Sequence, residues 1–144
     1  MEEQLLGRKR FEQDARKIRT LIPQFVLLTS PLTSLAWDGD ARSTTAKTVI
    51  DLSAVFAVPA GVRAVLVYVY VRDSGAVGSD TWMCLSPNNV AGQGMLFSPM
   101  PVADRYGRYS GIIPCDVNGD IYYQIAASAA GCFDAGIEIW GYWL

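Results

Sequence analysis

Val62-Arg63-Ala64-Val65-Leu66-Val67-Tyr68-Val69-Tyr70-Val71 is the greasiest run in the chain, and its reading decides the fold. β-Branched and aromatic residues dominate it, which favours an extended backbone on a pleated surface. At alternate positions Val65, Val67, Val69 and Val71 take one face, while Ala64, Leu66, Tyr68 and Tyr70 take the other. A strand that is apolar on both faces has to be covered on both. It therefore lies centrally in a sandwich with something against its outer face, or it meets another subunit. It falls well short of the ~20 apolar residues a membrane-spanning helix requires, and Arg63 interrupts it.

The flanking sequence keeps the period of two. Downstream, strand patterns cover residues 81–85, 94–98, 106–113, 120–127 and 132–144, separated by turn clusters such as Gly78-Ser79-Asp80, Pro87-Asn88-Asn89 and Ala130-Gly131. Upstream, residues 24–29 and 32–37 are short apolar pieces split by Ser30-Pro31. Ile50, Leu52, Ala54 and Phe56 then alternate before Val58-Pro59-Ala60-Gly61 turns the chain. About eight short strands with no helix among them predict an all-β fold. The leading topology is an antiparallel sandwich of the eight-stranded jelly-roll kind.

Residues 1–22 differ in kind. They hold six basic and four acidic side chains, whereas the rest of the chain holds six basic and ten acidic. Phe11, Ala15, Ile18 and Ile22 recur at the spacing of an amphipathic helix, and Pro23 stops it. Glu12 and Arg16 form a favourable pair one turn apart on its wet side. Too few heptads are apolar for a coiled coil. The pattern predicts a helical attachment arm over 1–22 ahead of a β domain over 24–144. Leu5, Phe11, Ala15, Ile18 and Ile22 are its contact residues; the plainer alternative is a helix folded back onto its own domain.

Composition narrows the function. The 144 residues are 51% hydrophobic and 18% charged, against about 25% charged in an average domain. There is no histidine, which removes Ser/His/Asp and Cys/His nucleophiles and mixed Cys/His zinc sites. No enzyme, metal or cofactor is expected. A net charge of -2 gives no reason to expect nucleic acid. Leu5-Leu6 is broken at once by Gly7-Arg8-Lys9-Arg10, so neither a secretory signal nor a membrane anchor is expected. Cys84, Cys115 and Cys132 lack any CxxC spacing and read as free thiols of a reducing compartment, with a Cys115–Cys132 disulfide as the alternative.

Three local patterns offer chemistry and give little. Asp116-Val117-Asn118-Gly119-Asp120 has the alternating oxygens of a calcium loop. Ile121 stands where the glycine belongs and Ala127 where the glutamate belongs, so a hairpin turn is the better reading. Asp38-Gly39-Asp40 is a loop whose carboxylates make a weak case for glycoside hydrolysis. Gly92-Gln93-Gly94 lacks the helix and third glycine of a phosphate loop.

The aromatics say more. Trp140, Tyr142 and Trp143 fall within the last five residues. Alternation places Ile137, Ile139, Gly141 and Trp143 on one face, with Glu138, Trp140, Tyr142 and Leu144 on the other. One face fills a core, and the second is left for a subunit contact. Trp140 and Tyr142 join Val67 and Val69 as candidate oligomerisation residues, and Trp37, Trp82 and Tyr106 are candidates for stacking on sugar rings.

The stretches Val67-Tyr68-Val69-Tyr70-Val71-Arg72-Asp73-Ser74-Gly75, Leu85-Ser86-Pro87-Asn88-Asn89 and Gly119-Asp120-Ile121-Tyr122-Tyr123-Gln124-Ile125, with the ending Ile137-Glu138-Ile139-Trp140-Gly141-Tyr142-Trp143-Leu144, carry a resemblance. In style, over roughly residues 50–144, the chain resembles small bacteriophage virion proteins: the β-sandwich modules of tail fibres, head fibres and decoration proteins. The resemblance implies a homotrimer held to other virion proteins through residues 1–22, assembled in the host cytoplasm and located in the virion. The alternative, raised by Trp37, Trp82 and Tyr106 rather than by the resemblance, is a receptor-binding tip with a host-surface glycan as partner. No catalytic or binding residue carries over.

Overall fold

The computed structural model describes residues 2–21, 23–42, 46–75 and 80–144, with the side chains of residues 3–14 described within the N-terminal helix. That helix, α1, runs Glu2–Leu21, and the first strand, β1, runs Phe25–Leu32. Eight further strands follow: β2 Asp38–Ala41, β3 Thr48–Ile50, β4 Ala64–Asp73, β5 Trp82–Ser86, β6 Met95–Phe97, β7 Gly107–Pro114, β8 Ile121–Ala126 and β9 Phe133–Trp143. All pair antiparallel in two sheets. One has the order β1-β9-β4-β7, with β2 also on β9; the other has the order β3-β8-β5-β6. β1 and β2 lie along successive parts of β9 and act as one edge strand broken by a 3-10 turn at Leu35–Trp37. Counted that way there are eight strands, and the chain passes between the sheets in the order of a jelly roll.

The valine face of β4 decides the core. Val65, Val67, Val69 and Val71 are fully buried between the sheets, together with Ile137 and Ile139 of β9, Ile113 of β7, and Met83, Leu85, Ile121 and Ile125 of the facing sheet. Val67 and Val69 are therefore core residues and not oligomerisation residues. Both faces of β4 are apolar, and only the pairing of the two sheets selects which one turns inward.

Asp38-Gly39-Asp40, read as a loop, belongs to strand β2, and the piece 32–37 ends in the 3-10 turn at Leu35–Trp37. The structure departs from the sequence pattern in three further places. Alternation predicts a strand over residues 50–56, but β3 ends at Ile50 and a short helix, α2, occupies Leu52–Phe56. The Asp51 carboxylate caps it, accepting from the Ala54 N–H at 2.9 Å, and Leu52 and Phe56 meet the core one turn apart. The alternation is a coincidence of spacing. The second departure is in β1, which runs on through Pro31; a proline is tolerated on this edge strand where the register with β9 shifts. The third is in β9. Leu66 faces Gly141 but Val67 faces Ile139, so the register with β4 slips by one residue at Trp140. Beyond this bulge the faces exchange. Tyr142 turns inward and packs against the core, and Trp143 turns outward onto Phe25.

All three cysteines are free. The Cys115 N–H donates to Arg63 O, just before β4, and the Cys132 carbonyl accepts from Ser74 N–H, just after it. A ten-residue strand separates the two by roughly 30 Å, far beyond the ~7 Å limit for a disulfide. Burial, with help from the nearby Asp116 and Asp120 charges, pushes the Cys115 thiol up to about 12. The Asp116–Asp120 segment is a hairpin turn. Asp116 Oδ1 accepts from the N–H groups of Asn118 and Asp120, while Asp120 Oδ1 accepts from Leu52 N–H.

Asp73 clamps the far end of β4. Only 6% exposed, its carboxylate accepts from Gly75 N–H at 2.8 Å, Ser128 N–H at 2.9 Å and the Ser128 hydroxyl. Burial alone raises the pKa of this carboxyl, but the donated hydrogen bonds outweigh it and hold it below the usual carboxylate range. Its stabilisation is thus present above the unfolded pKa of ~3.9 and is lost as pH falls through the lower folded value. Asp73→Asn is expected to cost about 1–3 kcal/mol at pH 7 and to flatten the loss of stability below pH 4. Urea unfolding of both proteins across pH 2–7 checks this.

Candidate assembly surface

The two sheets treat their outer faces differently. On the four-stranded sheet, Cys84 points away from the core yet is fully buried, because residues 90–94 fold back over it. Cys84 Sγ lies 3.1 Å from Gln93 O, Lys47 Nζ reaches both (3.3 Å and 2.6 Å), and Gly92 N–H donates to Gln124 Oε1 at 2.8 Å. The loop covers the centre of this face, while Val49 and Leu96 on its two edge strands stay 48% and 54% exposed.

No such loop covers the five-stranded sheet among the described residues. Opposite the core valines, Leu66, Tyr68 and Tyr70 of β4 stand half-buried. The register places Ile112 of β7 and Leu27 of β1 in one row with Leu66, and these are 50% and 68% exposed. Trp140 joins them, its indole N–H donating to Glu138 Oε2 at 3.0 Å. Two glycines of β9 flatten the surface. A Cβ on Gly136 would fall 2.0 Å from Tyr70 Cζ, and one on Gly141 would fall 2.7 Å from the ring of Phe25. These rings therefore lie over bare backbone and make a smooth apolar floor. A contiguous apolar patch of this kind marks an interaction surface more often than an accident of composition.

Charge sits at one end of the floor. Arg72 bonds Asp134 and lies 3.1 Å from Asp104; the hydrogen bond to Asp134 raises its pKa and keeps it cationic. Tyr106 meets Tyr70 edge-on at 5.6 Å, with the Arg72 and Arg108 guanidinium groups 4.9 and 5.9 Å from its ring centre. Burial, followed by the Glu138 and Asp38 charges, raises the pKa of Tyr70, so its hydroxyl stays protonated. Tyr106 also lines a groove of ≈ 280 Å³ with Met100, Val102 and Arg105.

The residues that the sequence singles out do not gather at one site. Leu5 and Phe11 are exposed on α1, Phe11 by 74%, and residues 3–14 are exposed throughout, so this part of the helix does not pack on the sandwich. The side chains of Ala15 and Ile18 and all of Ile22 lie outside the described residues, as does the Arg16 side of the Glu12 pair; Glu12 stands instead 3.9 Å from Arg8. Trp140 is on the open face, and Tyr142 is withdrawn from it by the bulge. The three candidate aromatics for sugar stacking do not meet. Trp37 is buried, edge-on to Tyr123 at 4.8 Å, with the Arg42 guanidinium 3.8 Å above its ring. Trp82 is half-buried on the four-stranded sheet, and Tyr106 on the five-stranded one. Leu27 and Ile112 carry no local signal in the sequence, because their positions depend on pairing across the sheet, whereas alternation already sets Glu138 beside Trp140.

Among the described residues no group of three or more His, Cys, Asp or Glu is placed to hold a metal ion, and no helix is long and apolar enough to cross a membrane. Known protein families and curated proteins give no match to the chain.

Proposed function

We propose that this protein is a structural assembly subunit, a bacteriophage virion component of fibre, collar or decoration type. Its jelly roll self-associates through the open face of the five-stranded sheet, and α1 attaches it to a larger particle. The observation that carries this reading is the apolar floor of the five-stranded sheet. There Leu27 and Ile112 stand exposed in one row with Leu66, and no loop covers the centre among the described residues, as one does over Cys84 on the other sheet. The unpacked residues 3–14, with Leu5, Leu6 and Phe11 outward, support the attachment role. The viral setting rests on the resemblance in sequence style and on jelly rolls being common in capsid and lectin domains, which is an analogy of fold.

The test is the mass of the full chain in solution together with particle incorporation. Self-association at micromolar concentration is expected, and a strictly monomeric species would overturn the reading. Removing residues 1–22 is expected to leave the β-sheet circular dichroism intact and to abolish incorporation. A receptor-binding tip centred on Tyr106 is the second reading, favoured by the tyrosine–arginine group beside its groove. It predicts glycan binding that Tyr106→Ala removes.

A further inference from the structure

We infer that the partner on the open face is the same face of a second copy, related by a two-fold axis running roughly along β4. The inference rests on the self-association reading and adds its geometry. Two charged groups on this face, Glu138 and Arg108, make no ion pair among the described residues. Glu138 on β9 faces Tyr68 of β4 from one side, and Arg108 on β7 faces Tyr70 from the other. They thus flank β4, offset along it by two residues, about 7 Å. A two-fold axis along β4 lays the β9 side of one copy over the β7 side of its partner. Each Glu138 then comes within side-chain reach of an Arg108, and the contact is made twice. An axis across the strands would instead set β9 over β9 and bring the two glutamates toward each other.

The apolar row obeys the same operation. Leu27, Leu66 and Ile112 share one level across the sheet, with Gly141 between the first two. The axis along β4 seats each Ile112 over the partner's flattened Gly141–Phe25 region, so the most prominent side chain on one half meets the smoothest part of the other. A surface that answers itself in both charge and relief is what an isologous contact requires. Such a contact closes at two copies, in place of the homotrimer that the resemblance implies.

Charge exchange tests this directly on the full chain. Glu138→Arg and Arg108→Glu alone each place like charges together twice, and each is expected to weaken self-association by about 100-fold or more. Mixing the two variants, or combining both substitutions in one chain, recreates opposite pairs and is expected to restore it, which also shows that the single variants are folded. Single variants that associate as tightly as the parent would overturn the inference while the assembly reading stands; the face would then be covered by another occupant, α1 included. Weakening without rescue in either format would overturn the pairing. A parent chain that is monomeric removes the reading itself.

Discussion

Val67→Asp is expected to unfold the protein, and Leu66→Asp, one residue away, is expected to leave it folded but dissociated. Val67 is fully buried, between Ile139 of β9 and Gly111 of β7, whose bare backbone leaves room for the Met95 side chain. An aspartate there has no described partner within the core. Ionised it loses its hydration, and neutral it still leaves a polar group unpaired, at a cost of several kcal/mol either way. A domain stable by about 5–15 kcal/mol retains little after that. Leu66 points to the other side, where a carboxylate keeps contact with water in the isolated chain. Its cost falls on association, since a charge at the centre of an apolar contact is desolvated when two surfaces meet. Circular dichroism separates the two outcomes by folding and sedimentation by mass. Folded Val67→Asp, or undiminished association of Leu66→Asp, would contradict the assignment of the two faces.

Gly94→Ala is expected to destabilise the chain by about 2–5 kcal/mol, a large loss for the addition of one methyl group. Gly94 adopts φ +144, a conformation that residues with a side chain rarely enter. The added Cβ would also fall 2.4 Å from the Leu85 carbonyl oxygen and 2.7 Å from Cys84 Sγ. The first of these belongs to the backbone of β5, which cannot swing aside as a side-chain tip does. Relief requires lifting residues 90–94 off the sheet, and that uncovers Cys84. The urea midpoint reports the loss of stability, and the rate of Cys84 alkylation in the native state reports the uncovering; both are expected to change together. An alanine variant with the parent's midpoint would show that this loop is not held as described.

The outline of this fold was legible in the sequence because short β-branched and aromatic runs are divided by turns that carry Gly, Pro, Asn and Asp. The N-terminal helix was legible as well, through Pro23 and a change of period. Other features were not. Both faces of residues 64–71 are apolar, so nothing local says that Val67 is core and Tyr68 is surface; the facing sheet decides. The bulge at Trp140 is one extra residue in an unbroken apolar strand, and it reverses Tyr142 and Trp143 without any local mark. Residues 50–56 satisfy a period of two and a helical spacing at once, and the Asp51 cap settles the matter. The open face was half legible. Tyr68, Tyr70, Glu138 and Trp140 could be read from alternation, but Leu27 and Ile112 join them only through cross-strand register.

The hydrogen bond from Leu144 N–H to Gln24 O ties the last residue of the chain to the residue just after Pro23. α1 and the chain end therefore leave from one corner of the sandwich, beside the start of β4. The loops at 98–106 and 127–132 lie at the opposite end, one strand length of about 30 Å away. Under the proposed attachment through α1, that corner is the base of the domain and the opposite end its summit. The summit presents Tyr106 and its groove, together with the Ser128 loop that Asp73 holds in place. Under the same reading, changes there would meet the surroundings first and the particle last, while Tyr106, set against Tyr70 and Arg108, couples the tip to the open face.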